Sequence, residues 1–444
     1  MNKRIKDYLV IGFALFAMFF GAGNLIFPPA LGRQTGDGYL ISILGFLITG
    51  VGLPLLGILS CVKSGGNFEV MASKVGKKFS LITTTALILA IGPMVAIPRT
   101  AATTFELSIH PLFPSIKPFI IILIYFIVVL AFVLKPSSIV DNIGKFLTPI
   151  LILMLSLIII KGILYPIGPI TNTSFNNLFS NSLLQGYQTM DAMAAVIFAS
   201  IIITSVKRKG YKTSNDIIKT TITSSIVAII GLSFIYGGLL YLGSQTTTLF
   251  NANITRTKLI TEISKNTLGS FGTIALSISV GLACLTTSIG LTATASEFFA
   301  KLSKGKLSYK FNAITICIIS MIIALNGVDI IVSLASPILD ILYPVVIVII
   351  LLNLLGNNIK NTKIISITVY VTLLFSVLST INSINPNVYL IKDIVHKIPL
   401  SNLGFIWVIP CFVTLIVTYI IFNKQTSLNN NFSKELIDNN IIND

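Results

Sequence analysis

Charge is scarce in this sequence. Asp, Glu, Lys and Arg make up 10% of its 444 residues, against about 25% in a soluble domain. Apolar residues make up 54% and the mean hydropathy is +0.91. Too little polar surface remains to cover a water-soluble globule, so a bilayer must be the solvent. Histidine is nearly absent. His110 and His396 are the only two, both near the ends of connections, and no phosphate-binding glycine loop or metal-spaced cluster appears. The catalytic clusters of a membrane enzyme are therefore missing. Cysteines number four, Cys61, Cys284, Cys317 and Cys411, each in or at the end of a separate apolar run. Their spacing suits neither disulfides nor zinc, and they read as small packing residues. Alternating segments of about ten residues, the mark of a membrane β-barrel, are also missing. The polar segments are too short for a signalling domain.

Long apolar runs are present instead. A spanning helix needs roughly 20 mainly apolar residues. The candidate spans are 7–32, 38–62, 79–109, 117–134, 140–164, 186–206, 215–243, 271–300, 308–325, 329–353, 363–383 and 402–423. The expectation is an all-α polytopic membrane protein of about 12 transmembrane helices. One transmembrane domain is expected over 1–424, with an Asn-rich, disordered cytoplasmic tail over 425–444. The start of the chain, with Lys3, Arg4 and Lys6 ahead of an apolar run, resembles a signal peptide. No cleavage site stands out, and it is read as a retained first helix.

The net charge of +16 raises the question of nucleic acid, but its distribution answers for topology. Most of the Lys and Arg fall in alternate connections and the two tails. The richest cluster, Lys207, Arg208, Lys209, Lys212 and Lys219, follows the sixth span, whereas 165–185 carries neither Lys nor Arg. Positive residues stay inside, so both termini are expected in the cytoplasm, with the chain in the cell (inner) membrane. The longest outer connections follow spans 5 and 7. Within the latter, 246–269 mixes polar residues with Leu249, Ile254 and Ile260, and reads equally as a lid or an inert loop.

A carrier must bind a polar solute inside hydrocarbon. It does so where a helix is interrupted, because unwinding frees peptide groups to act as ligands. The first span carries such a stretch, Phe20-Gly21-Ala22-Gly23-Asn24-Leu25-Ile26-Phe27-Pro28-Pro29. Two glycines, a mid-span Asn and two prolines point to a break there, with a new half-helix aiming N–H groups at an anion. In the sixth span, Gly186-Tyr187-Gln188-Thr189-Met190-Asp191 brings an acid and a hydroxyl, with a weaker signal because no Gly or Pro lies inside it. Arg99, within Pro98-Arg99-Thr100 of the third span, is costly in a membrane and calls for a partner. Asp191 and Glu106 are the candidates, as an ion pair that closes the outer path or simply joins helices. In the eighth span Thr286, Thr287 and Ser288 suit a hard cation or ordinary interhelical hydrogen bonding. Asp340 in the tenth span is either a protonatable coupling group or a buried neutral acid.

Five motifs in order, GAGNLIFPPALG, GPMVAIPRTAATTFE, GYQTMDAMAA, ACLTTSIGLTATASEFFA and the PxLxxLYP pattern of span 10, closely resemble the bacterial branched-chain amino acid:cation symporters, the branched-chain carrier II proteins of the amino acid–polyamine–organocation superfamily. The resemblance runs from residue 7 to about 350. It implies a 5+5 inverted-repeat core of the leucine-transporter type, with repeats near 7–164 and 186–353, broken helices 1 and 6, and two extra helices over 363–423. It implies symport of leucine, isoleucine and valine with Na⁺ or H⁺, with no other cofactor and no obligatory protein partner. By position it puts the substrate at Gly21, Ala22, Gly23, Asn24, Tyr187, Thr189 and Asp191, its carboxylate on the N–H groups of Ala22 and Gly23. A Na⁺ site would take carbonyls of Ala17, Phe20 and Ala283 with hydroxyls of Thr286 and Thr287, or of Ser288 after a one-residue shift. Asn24 falls where related transporters place a second Na⁺ ligand. Asp340 is outside the family pattern. The alternatives are a carrier of another small neutral solute and, less well supported, a channel.

Overall fold

The computed structural model describes residues 3–134, 139–251, 253–356, 359 and 361–422. The tail expected over 425–444 lies outside them. Every regular element among the described residues is helical. In chain order the α-helices are α1 (Lys3–Phe19), α2 (Ala22–Thr35), α3 (Tyr39–Leu47), α4 (Leu53–Lys63), α5 (Phe68–Ser73), α6 (Lys77–Leu89), α7 (Ala96–Thr103), α8 (Pro118–Leu134) and α9 (Ile139–Leu164). They continue as α10 (Leu178–Tyr187), α11 (Asp191–Arg208), α12 (Ser214–Ser244), α13 (Arg256–Leu302), α14 (Tyr309–Ala324), α15 (Val328–Leu355), α16 (Thr362–Ile384) and α17 (Tyr389–Lys397), and close with α18 (Val408–Phe422).

Polar residues at the connections start these helices. Thr213, Thr255, Ser308 and Asn361 each accept a hydrogen bond from a backbone N–H in the first turn of α12, α13, α14 and α16. These are N-caps, each worth about 1 kcal/mol. Helix α8 is apolar all round. Ile120, Ile124 and Ile127 of α8 are exposed beside buried Ile122 and Val129, as expected where the solvent is lipid.

Among the described residues, six helical stretches are long and apolar enough to cross a membrane. Pairing α10 with α11 across their bend gives a seventh, and α8, Pro149–Leu164 of α9, α14 and α18 are shorter apolar helices. The chain is a multi-pass, all-α membrane protein. Its described residues pack as two units, one of Met1–Val62 with Thr85–Leu339, the other of Lys63–Thr84 with the described residues from Asp340 on. In the first unit α1 and α2 both pack along α12, and α13 packs against α2, α7, α9 and α14. Phe16, Phe27, Phe46 and Tyr236 are among its largest fully buried side chains.

Wide π-type turns interrupt the third span at Ala90–Met94 and Thr104–Ile109, with non-helical geometry at Gly92 beside Pro93. Such turns release backbone groups and mark functional sites more often than chance. The segment 246–269 is helical from Arg256, and Gly269 (φ +63°) bends α13 where the eighth span was expected to begin.

Candidate functional site

The first break falls at Phe20 and Gly21. Helix α1 ends at Phe19 and α2 starts at Ala22, with Gly21 extended at φ −128°, ψ −164°. Asn24 sets this start, because its side-chain Oδ1 accepts from the Gly21 N–H at 3.1 Å. That bond satisfies a donor the helix cannot. The N–H groups of Ala22 and Gly23, in the first turn, have no acceptor within the helix. The half-helix begins ahead of the prolines, which therefore sit in its interior. Pro28 and Pro29 withhold donors from the carbonyls of Asn24 and Leu25 one turn earlier.

Gly23 lies inside α2 and does not itself form the break. Its backbone is helical, and what it supplies is room: a Cβ there would stand 2.8 Å from Nη2 of Arg99.

The second break falls at Gln188–Met190. Helix α10 ends at Tyr187, α11 starts at Asp191, and the two are bent by 41°. Met190 takes a left-handed conformation at φ +68°, rare for a side chain other than Gly or Asn. Thr189 Oγ1 donates to the Gly186 carbonyl at 2.9 Å and accepts from the Asp191 N–H at 3.4 Å. Tyr187 is buried at the end of α10. The helix begins at Leu178, well ahead of the expected span start at 186, so the pieces on either side of the break are α10 and α11.

Three side chains join the breaks. The Asn24 amide donates to Asp191 Oδ2 at 2.7 Å, and the Tyr236 hydroxyl of α12 donates to the same oxygen at 2.9 Å. The Asn24 amide also donates to the Tyr236 hydroxyl. Asn24, Asp191 and Tyr236 are all buried. Removing a carboxylate from water costs several kcal/mol. Two hydrogen bonds to a charged group, about 1.5–3 kcal/mol each, together with the positive N-terminal end of α11, offset part of that cost.

Arg99 complements the other side of the break. Its Nη1 donates to the Gln188 carbonyl at 2.7 Å and its Nη2 to the Thr189 carbonyl at 3.2 Å. A cation thus stands where α10 leaves its last carbonyls, at the negative end of a helix. Phe27 of α2 lies beneath the guanidinium, 5.5 Å from it. Glu106 is engaged elsewhere: it accepts from the Thr257 hydroxyl at 2.6 Å and from the Val328 N–H, at the start of α15, at 2.9 Å. Arg256 beside Thr257 pairs with Asp329 beside Val328.

A cavity of about 30 Å³ lies between the breaks. Gly21, Ala22 and Asn24 line it from one side and Thr189 and Asp191 from the other, with Arg99, Thr287 and apolar Phe198 and Leu291 around them. That volume holds one or two waters. A leucine side chain enters only when the surrounding helices part.

Among the expected cation ligands, Thr286 and Thr287 both donate to the Ala283 carbonyl, at 2.9 and 3.0 Å. Thr287 stands beside the first break, its Oγ1 3.9 Å from where a Gly21 Cβ would be. Ser288 is fully buried. Phe20 lies in the break and Ala17 one turn earlier in α1. Asp340, in α15, belongs to the second unit. Nothing in the sequence marks Tyr236, which looks like one more aromatic in an apolar run.

Residues 4–425 match the family of branched-chain amino acid transport proteins. The chain belongs to this family. Its relatives include the branched-chain amino acid permease BraB of Bacillus subtilis, 37% identical over 426 residues, 94% of this chain and 96% of BraB. A Staphylococcus aureus (strain USA300) protein named "Putative branched-chain amino acid carrier protein" is 39% identical over 443 residues, 95% of this chain and 98% of that one. Among solved structures, the nucleobase-cation-symport-1 transporter Mhp1 in a closed, bromovinylhydantoin-bound conformation superposes with a TM-score of 0.60 at 13% identity, over 92% of this chain and 90% of Mhp1. A Na⁺-coupled sialic acid symporter gives 0.56 at 15% identity, over 93% and 90%. At such identities the likeness is one of fold, and family membership rests on the permeases and the family match.

Proposed function

We infer that this chain is a secondary transporter for branched-chain amino acids, homologous to carriers of the BraB type. It is a transport protein and not an enzyme. The observation that carries the site reading is the meeting of two broken helices at one small cavity. There the N-terminal ends of α2 and α11 and the C-terminal end of α10 converge.

The proposed mechanism is uptake by alternating access, coupled to Na⁺ or H⁺. The substrate carboxylate docks on the N–H groups of Ala22 and Gly23. Its ammonium lies toward the Thr189 and Asp191 side, with Gly21 bounding the pocket and its aliphatic end among apolar walls, while Tyr187, expected at the substrate, stands at the end of α10 outside the cavity lining. A co-transported Na⁺ would be held by carbonyls of Ala17, Phe20 and Ala283 with hydroxyls of Thr286, Thr287 or Ser288. These are all neutral oxygens, a donor set that suits a hard monovalent cation. Arg99 and Glu106 hold the outer side closed around this site. The proposed architecture is a single transmembrane domain over 1–424 with about 12 spans, arranged as two inverted repeats of five plus two extra helices, and both termini in the cytoplasm. The fold shared with Mhp1 and the basic residues between spans support it.

Labelled-leucine uptake into proteoliposomes under separately imposed Na⁺ and H⁺ gradients tests this. Saturable uptake driven by one of the gradients is expected. Uptake driven by neither removes the symport reading, and no leucine uptake at all leaves a carrier of another small neutral solute.

A further inference from the structure

Helix α12 was given no role by the sequence, yet it sends Tyr236 into the centre of the molecule. The side chain is fully buried. Its hydroxyl donates to Asp191 Oδ2 at 2.9 Å and accepts from the Asn24 amide. Its ring lies against Phe20, in the first break, at 6.4 Å and edge-on to Phe46 of α3 at 5.5 Å. One residue therefore touches the break in helix 1, the first residue after the break in helix 6, and a third element.

We propose that Tyr236 is a positioning residue for substrate binding, acting through the orientation of the Asn24 amide. The proposal rests on the reading of the two breaks as the substrate site. An Asn side chain has a donor end and an acceptor end, and its hydrogen-bond partners decide which points where. Here Tyr236 and Asp191 both face the donor end. The acceptor end is thereby turned back to the Gly21 N–H, which it caps at 3.1 Å. Capping Gly21 fixes the start of α2 and leaves the next N–H groups, those of Ala22 and Gly23, for an anion at the cavity. The same hydroxyl occupies Oδ2 of Asp191 and so sets which edge of that carboxylate faces the cavity. Without it the Asn24 amide keeps two of its three partners, Asp191 at the donor end and the Gly21 N–H at the acceptor end, and is held less firmly in that orientation.

The test compares purified wild type with Tyr236→Phe, Asn24→Ala, the double variant and Phe46→Leu, by leucine uptake in proteoliposomes and by thermal melting. Tyr236→Phe removes one oxygen and keeps the ring on Phe20 and Phe46. The expected result is a rise of about tenfold or more in the KM for leucine, with maximal velocity changed much less, as for a group that prepares binding. The Asn24→Ala cost should not add to it, because both act through one amide. Phe46→Leu, which disturbs the ring packing and spares the hydroxyl, should leave KM within about threefold of wild type. Unchanged KM in Tyr236→Phe, additive costs, or an equal KM rise in Phe46→Leu would overturn the proposal. So would loss of folded protein in Tyr236→Phe, which would assign the hydroxyl to stability alone. Saturable leucine uptake by wild type is the control that separates these outcomes from failure of the transport reading itself.

Discussion

The side-chain amide of Asn24 lies 2.7 Å from Oδ2 of Asp191, a contact that joins directly two interrupted helices far apart in the chain. Each partner stands in the first turn of a half-helix, Asn24 in α2 and Asp191 in α11. Two positive helix ends thus meet around one carboxylate. The N–H groups this leaves over in α2 are what a zwitterion's carboxylate needs.

Arg99 is predicted to resist replacement by Lys. Its two nitrogens reach two successive carbonyls, Gln188 and Thr189, while its flat face covers Phe27. An ammonium keeps the charge but cannot span both carbonyls and stack. Losing one hydrogen bond to a charged group, about 1.5–3 kcal/mol, corresponds to a drop of tenfold or more in Vmax/KM for leucine. Arg99→Lys uptake within twofold of wild type, at equal protein in the membrane, would contradict it.

The glycines give a contrasting pair. A methyl group at Gly23 would stand 2.8 Å from Nη2 of Arg99, whereas at Gly290 of α13 nothing lies within 4 Å. Gly23→Ala must push the guanidinium off the Gln188 and Thr189 carbonyls and is expected to lower leucine uptake by about tenfold. Gly290→Ala is expected to leave uptake intact and to raise stability by up to about 1 kcal/mol, the helix propensity gained. Uptake and melting temperature of both variants check this together.

Thr287 and Thr286 donate to the same carbonyl, but Thr287 lines the cavity beside Gly21. If Na⁺ drives the carrier, Thr287→Ala should raise the Na⁺ concentration for half-maximal uptake by about tenfold, and Thr287→Ser should restore it, since only the hydroxyl is a ligand. Na⁺ titration of leucine uptake in both variants reads the effect. An unshifted titration in Thr287→Ala would remove this hydroxyl from the cation site.

Selectivity among leucine, isoleucine and valine should be shallow. One methylene in an apolar pocket is worth only about 1–3 kcal/mol, and the walls offered by Phe198 and Leu291 are apolar. Competition assays should find the three within about 200-fold of one another and polar amino acids far weaker. Serine competing as well as valine would contradict an apolar side-chain pocket.

The first break was legible because Gly21, Asn24 and the two prolines each oppose a continuous helix in their own way. The second was only half legible. Its left-handed residue is Met190, whose presence in a sequence carries no such message. The start of α10 was hidden as well, since Ser180, Asn181 and Ser182 resemble loop residues. In the fold, Ser180 and Ser182 satisfy their hydroxyls on the carbonyls of Asn177 and Leu178, which lets both sit in buried surroundings. Arg99 was legible as a residue needing partners, but backbone carbonyls freed by a helix break cannot be read from side-chain pairing. Tyr236 was illegible, because its role arises only where α12 crosses both breaks.

The central claim is that leucine binds between the two breaks on the peptide groups of α2. An experimental structure with leucine bound tests it most directly. The account predicts the carboxylate within hydrogen-bond distance of the Ala22 and Gly23 N–H groups, the ammonium on the Thr189 and Asp191 side, and a cavity enlarged from its present 30 Å³. Leucine seated elsewhere, with α1 and α2 joined as one continuous helix through Gly21, would contradict it.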